Sequence, residues 1–465
     1  MNKLDSALVT ASLEKAGFGL TDTVKDADAV LLNTCSVREH AEQRVLSHLG
    51  HLKHIKKQRP DLVVAVIGCM AQRLGAELLE DNTVDIVCGP AQIPQIPQLI
   101  SSALNEKPKL LSIKDKIRQK PDDRENLALD EFESVFDRAD KNLPGQTFVR
   151  IMRGCDNFCS YCVVPYVRGP EVSRPPAAII EQIKRLADDG VKQVTLLGQK
   201  VNAYKYTAGD KTCCLADLLH MLSELDGVEW IRFVTNYPSE DFYDQILKAM
   251  ADLPKVCSYL HMPAQSGSDK ILRAMNRRYT VSRYLEMLDR ARSIVPGIAV
   301  SGDFIVGYPG ETEEYFQATV ELLKKAKYKN AFIFKYSPRP GTKADKKLAD
   351  SVPHQTKRKR NTELLAVQEK ISADLARTFL GQTVKVLIEG LSKKPHLDSP
   401  EGPNNPQLVG RTATDWIVVF NGPPSLAGRF MNVKITKTAP LTLFAQLTAK
   451  KKHCKSLILE DLYNL

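Results

Sequence analysis

From Phe148 to about Ser337 the sequence alternates short apolar runs with helix-length amphipathic segments. The runs fall at 148–152, 193–197, 230–235, 256–261, 299–306 and 331–335. A crossover helix returns the chain to the same end of a sheet each time, so this alternation forces the strands to run parallel. Six such units predict a partial version of the eight-stranded barrel, with function at the carboxyl ends of the strands. An open, doubly wound six-stranded sheet fits the same pattern and is the structural alternative.

The first run leads into Arg153-Gly154-Cys155-Asp156-Asn157-Phe158-Cys159-Ser160-Tyr161-Cys162, three thiols in C-x3-C-x2-C spacing. A loop this short can aim three thiolates at one centre. Structural zinc takes four protein ligands, and no His or fourth Cys lies nearby, so zinc is the weaker alternative. Three thiolates on a 4Fe-4S cube leave one iron open to a reactant, and that open iron is where chemistry is expected.

Cys155, Cys159 and Cys162 match the signature by which radical S-adenosylmethionine (SAM) enzymes hold their cluster. The longer run from Phe148 to Arg174, ending Arg168-Gly169-Pro170-Glu171-Val172-Ser173-Arg174, resembles the methylthiotransferase branch. The likeness covers nearly the whole chain and is greatest to the members that act on N6-dimethylallyl adenosine in tRNA. It implies an enzyme that places a methylthio group on carbon 2 of that adenosine, beside the anticodon, with SAM as both radical source and methyl donor. The implied partners are the tRNA anticodon loop, a reducing electron donor and a sulfur donor. Three Gly-, Gln- and Ser-rich loops read alone as turns; by resemblance Gly198, Gln199, Asn202, Gln265, Ser266, Ile305 and Gly307 line the SAM pocket. An unactivated aromatic C–H offers no acidic proton to a general base, which agrees with radical chemistry supplied by a cofactor.

Runs at 27–34, 62–67 and 85–88, separated by helical segments at about 37–57 and 71–80, predict an open α/β domain over 1–105. Cys35 and Cys69 fall just past the first two runs, at the strand ends where open sheets bind ligands. Position alone allows two unrelated core thiols equally well. By resemblance, Asn33-Thr34-Cys35 and Gly68-Cys69-Met70 hold the second and third ligands of an auxiliary 4Fe-4S cluster. The family's first ligand lies two residues before a Met-Asn pair, and this chain begins Met1-Asn2. The expectation is a sequence that starts one strand late, with a natural loss of the auxiliary cluster as the alternative, an auxiliary site short of one thiol, and an unpaired sheet edge at Leu31 or Val64. Cys88 is the nearest substitute ligand; it, Cys213, Cys214, Cys257 and Cys454 otherwise read as plain thiols.

Residues 106–143 are charge-rich and read as a linker with one short helix, ahead of the barrel at 144–350. A connecting helix over 351–380 carries Leu364, Val367, Ile371, Leu375 and Phe379 at three-to-four spacing, with Gly381 as its stop. Five short runs in 381–450 then predict a small OB-like barrel, followed by a tail at 451–465. This barrel resembles the TRAM domain, an RNA-binding module. The whole chain carries +10, and from Gly381 onward eleven Lys and Arg face six Asp and Glu, which suits phosphate contact. The run Lys357-Arg358-Lys359-Arg360 reads as solvated surface or as part of the same face.

The predicted fold is therefore α/β: an N-terminal open α/β domain, a central partial (βα)6 radical SAM barrel and a C-terminal OB-like barrel. Ten cysteines without a signal-like apolar N-terminus argue against a disulfide framework, and no run approaches 18 apolar residues. A cytoplasmic monomer with no membrane contact is expected. The segment Ser36-Val37-Arg38-Glu39 separates the chain by resemblance from methylthiotransferases that act on threonylcarbamoyl-adenosine or on a ribosomal-protein aspartate, which are the alternatives within the class. A non-enzymatic RNA-binding protein with a structural or redox-sensing cluster is the alternative outside it, and reductive SAM cleavage separates the two.

Overall fold

In the computed structural model, which describes residues 2–36, 39–106, 108–136, 143–239, 243–393 and 405–448, the chain builds three sheet units in order. The tail read over 451–465, with Cys454, lies outside the described residues. The first unit contains α1 (Asn2–Lys15), β1 (Ala29–Thr34), α2 (Glu39–Gln58), β2 (Val63–Gly68), α3 (Cys69–Leu74), β3 (Ile86–Cys88), α4 (Ile96–Glu106) and β4 (Leu110–Ser112). Its strands pair in parallel in the order β1-β2-β3-β4. The run Val63-Val64-Ala65-Val66-Ile67 is apolar throughout because both its faces are covered. Leu4, Leu8, Ile96 and Ile100 pack on one side, and Val45, Leu49 and Leu52 on the other.

One expectation needs correction here. The segment 106–143 carries the one short helix expected, α5 (Asp123–Ser134), with a complete capping box between Asp122 and Glu125, but it also holds β4, which adds a fourth strand to the sheet. A three-residue strand is too short to show a period in sequence. Of the two positions expected at a sheet edge, Leu31 lies on the edge strand β1, the opposite edge being β4, whereas Val64 sits on β2 with neighbours on both sides.

The second unit is the barrel arc. Its strands are β5 (Gln146–Arg150), β6 (Gln193–Leu197), β7 (Trp230–Phe233), β8 (Tyr259–His261), β9 (Ala299–Val306) and β10 (Asn330–Lys335). β5, β6 and β7 pair in parallel, as do β8, β9 and β10, and a parallel bridge from Ile231 to Val256 joins the two halves. Spatial order follows chain order throughout, and the strand reversal that defines a doubly wound sheet is absent among the described strands. Between the strands run α6 (Val164–Val167), α7 (Pro176–Asp188), α8 (Leu215–Ser223), α9 (Tyr243–Asp252), α10 (Asp269–Ala274), α11 (Val281–Ile294) and α12 (Glu313–Ala326). Ile179, Ile183, Leu218, Leu222, Leu288 and Leu323 of the longer helices share one core with the strands. α13 (Lys343–Lys347) and α14 (His354–Arg377) follow β10.

The third unit is a closed barrel of β11 (Thr383–Leu391), β12 (Gln407–Thr412), β13 (Ile417–Asn421), β14 (Phe430–Ala439) and β15 (Thr442–Leu447), in the order β11-β12-β13-β15-β14. Gly381 turns the chain out of α14 at φ +79°, a conformation that costs glycine little. This barrel docks on the amino ends of the (βα)6 strands. Trp230, the first residue of β7, stacks edge-on to Phe430 at 4.7 Å. Arg232 donates to the carbonyls of Thr412 and Ala413, and Lys329, just ahead of β10, pairs with Asp415 at 2.8 Å. Lys385 pairs with Glu229 across the junction, so part of the basic excess holds the two barrels together, while Arg411 pairs with Glu389 and Asp415 inside the small barrel.

α14 runs alongside the larger barrel. Its buried stripe is Lys357, Arg360, Leu364, Gln368, Ser372 and Ala376. Of the predicted apolar positions only Leu364 is on that stripe; Val367 and Ile371 flank it, and Leu375 and Phe379 pack into the small barrel. The stripe is polar because it crosses strand ends whose carbonyls need donors, which Gln368 and Ser372 supply to Tyr328 and Lys329. The charge run at 357–360 is correspondingly split: Lys357 and Arg360 are buried, while Arg358 and Lys359 face solvent.

Candidate functional site

The loop after β5 is held open by backbone geometry before any side chain is considered. Gly154 lies at φ +69°, and a Cβ there would sit 1.8 Å from the Pro170 carbonyl oxygen. The Cys155 N–H donates to the Gly169 carbonyl at 3.1 Å. Phe158 adopts φ +48°, a conformation unusual outside glycine, and the amide of Asn276 clamps it by donating to the Phe158 carbonyl at 2.9 Å. Ser160 hangs from the end of α10: its N–H donates to the Met275 carbonyl and its hydroxyl to that of Ala274.

This scaffold brings Cys155, Cys159 and Cys162 within electrostatic reach of one another. Burial pushes the Cys155 thiol up to about 11, and burial with the neighbouring Cys159 pushes that of Cys162 up to about 12. Thiols so placed ionise when a positive centre arrives between them, which is how metal ions and iron clusters take thiolate ligands. Arg277 donates to the Cys159 sulfur at 3.5 Å and is fixed by the Tyr279 hydroxyl, the Pro263 carbonyl and the face of Tyr237. Arg118, from the segment read as linker, donates to the Cys155 carbonyl, pairs with Asp156 and lies over Phe158 at 4.6 Å. The donor set fits a cube in which each thiolate takes its own iron. Among the described residues, no three His, Cys, Asp or Glu side chains stand at single-ion spacing.

Cys35 and Cys69 leave β1 and β2 side by side, because Thr34 and Gly68 are register partners. Gly68, at φ +96°, lets the chain turn into α3; a Cβ there would meet the Thr34 carbonyl oxygen at 2.7 Å. Cys69 is buried, which raises its thiol, and Arg168 donates to its sulfur at 3.2 Å while pairing with Asp5 at 2.8 Å. Cys69 packs on Val163 and Val167, so the turn directly after Cys162 is the wall shared by the two thiol groups. Cys88 does not complete the Cys35/Cys69 pair. It is buried in the apolar core with Leu4, Leu8 and Ile67, and burial pushes its thiol up to about 12.

The residues expected to line a SAM pocket lie on the loops at or near the carboxyl ends of β6, β8 and β9, except Ile305, which is on β9 itself. Gly198 packs where a Cβ would meet Met152 at 2.5 Å, and Gln199 is half-buried beside it. Asn202 commits both ends of its amide to the backbone of Tyr237, so it shapes this loop from behind. Gln265 sits at φ +71°, its backbone bonded to Asp303 and Ile305, and Ser266 bonds Thr319 and the Ser268 N–H. Ile305 packs with Tyr161 and Tyr308. Gly307, at φ +73°, donates to Glu311, and a Cβ there would meet Lys357 at 2.3 Å. Sequence reasoning missed Arg118, Arg168 and Arg277, and also the pair His261 and Asp303, 3.3 Å apart on neighbouring strands of the arc. The only signal for the last was alternation along β8 and β9, which places one polar residue in the bore.

A (βα)6 arc with three thiols on the loop after its first strand, carrying a small closed barrel behind it, is the plan of a radical SAM enzyme with a TRAM domain. The Radical SAM superfamily matches residues 149–323, the TRAM domain 377–448, and a family described as Uncharacterized protein family UPF0004 residues 1–89. The chain is 42% identical over 451 residues to the tRNA-2-methylthio-N(6)-dimethylallyladenosine synthase of Rhodopirellula baltica, covering 96% of this chain and 93% of that protein. It is 40% identical over 448 residues to the synthase of that name from Aquifex aeolicus, covering 96% of each. The chain belongs to the tRNA-2-methylthio-N(6)-dimethylallyladenosine synthase family. Among solved structures, the radical S-adenosylmethionine methyltransferase TsrM of Kitasatospora setae shares the fold at a TM-score of 0.51 and 16% identity, over 73% of this chain and 70% of that one.

Proposed function

We propose that the chain transfers a methylthio group to carbon 2 of N6-dimethylallyl adenosine beside the anticodon of tRNA, using SAM. The observation that carries this reading is the packing of Cys69 against Val163 and Val167, which follow directly on Cys162 of the three-thiol loop. Cys155, Cys159 and Cys162 would hold the SAM-binding 4Fe-4S cluster, and Cys35 and Cys69 would contribute to an auxiliary one. When bound, these groups supply an electron to SAM, a radical and a methylthio sulfur.

The protein's own residues do the rest. Arg277 and Arg168 each place a guanidinium on one thiol sulfur, and such donors stabilise sulfur that carries negative charge. Gly198, Gln265 and Gly307 would line the SAM pocket at the barrel mouth. The target adenine must leave its stack to reach a recessed site, and an unpaired loop base costs least to extrude. A reducing electron donor and a sulfur donor complete the requirement, and the chain acts as a monomer in the cytoplasm. Among the described residues no helix is long and apolar enough to cross a membrane.

Anaerobic reconstitution with iron and sulfide, followed by reduction in the presence of SAM, should yield deoxyadenosine. Changing Cys155, Cys159 or Cys162 to Ala should abolish that product and lower the iron bound per chain. Normal deoxyadenosine from any of the three variants removes the assignment, and mass analysis of tRNA nucleosides tests the methylthio step separately.

A further inference from the structure

The small barrel, the expected RNA-binding module, docks on the amino ends of the (βα)6 strands, whereas the thiols stand at the carboxyl ends. α14 links the two ends: Lys357 lies against Gly307 at the mouth, and Ser372 reaches Lys329 at the far end. Its 24 residues measure about 36 Å at the helical rise. Contacts to the small barrel alone therefore leave the reacting base unheld at the thiols.

The mouth has its own cationic rim. The chain after β10 doubles back so that the Ala344 N–H donates to the Ser160 carbonyl at 2.7 Å, between Cys159 and Cys162. α13 thereby sits on the thiol loop and presents Lys343, Lys346 and Lys347 to solvent. None of the three has an ion-pair partner among the described residues. The nearby acids are committed elsewhere, Asp345 to the Gly341 N–H and Asp350 to Lys357. Beside this rim two aromatic rings are exposed: Phe158 on the loop itself and Tyr166 on α6, 6.0 Å apart and edge to face. Partly exposed aromatic rings, one of them backed by the Arg118 guanidinium, together with lysines that have no ion-pair partner among the described residues match what single-stranded nucleic acid binds, with phosphates on cations and bases stacked on rings.

Building on the tRNA reading above, we propose that the anticodon arm is gripped at the mouth, by phosphate contacts to Lys343, Lys346 and Lys347 and by unpaired bases stacked on Phe158 and Tyr166. The test uses full-length protein, a tRNA and an isolated anticodon stem-loop carrying the dimethylallyl group, with affinities measured across a salt series. The variant Lys343→Gln/Lys346→Gln/Lys347→Gln should bind the stem-loop more weakly and flatten the slope of log affinity against log salt by about 2–3, one for each phosphate no longer neutralised. Phe158→Leu should weaken stem-loop binding several-fold with the slope unchanged. Lys434→Gln/Lys437→Gln, on the outer face of the small barrel, should leave stem-loop binding intact. Equal thermal midpoints and equal iron content confirm that the variants are folded. An unchanged salt slope in the triple variant overturns the proposal while leaving the methylthio reading standing. An unaltered protein that binds tRNA but leaves it unmodified overturns that reading and not the location of the grip.

Discussion

Asp5 sits on α1, yet both of its carboxylate oxygens are taken by arginines of the barrel unit, Arg150 and Arg168. Arg150 also pairs with Glu133 of α5 at 2.7 Å, and Arg153 and Arg174 reach Glu133 and Asp130. Four buried or nearly buried arginines thus share three carboxylates where the N-terminal unit, α5 and the thiol loop meet. Burial alone would raise the Asp5 carboxyl, but attraction to Arg168 and Arg150 outweighs it and holds the group at about 2. The carboxyl is depressed below its ordinary value of 3.8, so its contribution to stability is complete above that value and is lost as pH falls through about 2. The contribution is on the order of 2 kcal/mol. In metal-free protein, the stability gap between the unaltered chain and Asp5→Asn, read from urea midpoints, should be constant near pH 6 and shrink between pH 4 and 2. A gap that does not depend on pH would mean that the ion pairs are spectators. Cys69 gains from the same cluster, because Asp5 fixes the guanidinium that touches its sulfur.

At the scale of elements, the six strands of the arc were legible because each is an apolar run bounded by turn residues, and 299–306 coincides with β9 to the residue. The five short runs of the small barrel were legible for the same reason. β4 was not, since three residues of half-exposed Leu, Leu and Ser carry no period. α14 was visible as a helix, but its inward face was misplaced, because what it buries is decided by carbonyls and carboxylates of other elements. Arg360 shows this: its guanidinium donates to the carboxylate and carbonyl of Glu311, whose carboxylate in turn receives the Gly307 N–H at 2.6 Å. One member of a charge run that reads as solvated surface is therefore a brace on the loop after β9, while Arg358 and Lys359 do face solvent. Arg360→Ala leaves the fully buried Glu311 without its cation and should cost about 3–5 kcal/mol in chemical denaturation. A loss below about 1 kcal/mol would place the brace elsewhere. The thiol sites divide in the same way: the spacing of Cys155, Cys159 and Cys162 is local and was readable, whereas the arginines on the sulfurs come from distant parts of the chain.

For the whole molecule, the interface between the two barrels is built like an interior. Trp230, Cys257 and Leu387 pack together across it, and the buried cations Arg232 and Lys329 share a carboxylate, that of Asp415, on the small barrel. Separating the barrels would strand both charges, so the two should unfold in one transition. The chain's two tryptophans report on each side, with Trp230 on β7 and Trp416 just before β13. Fluorescence of Trp230→Phe and Trp416→Phe variants should give coincident midpoints in urea, shifted equally by Asp415→Asn. Separate midpoints would show the small barrel melting on its own.

The docking of one barrel beneath the other also sets an order of events during synthesis. Lys329 leaves the ribosome 86 residues ahead of Asp415. At cellular rates of about 5–20 residues per second, that interval is on the order of ten seconds. Over that time the thiol loop and the strands around it are already outside, while the floor of the arc carries two cations with no counter-charge. The nascent arc is thus open below when its upper end is complete, and it closes only when the last-made strands swing under it. Ribosome-bound chains halted before Asp415 should be cut by protease near Trp230 and Lys329, and chains extended past Leu447 should resist.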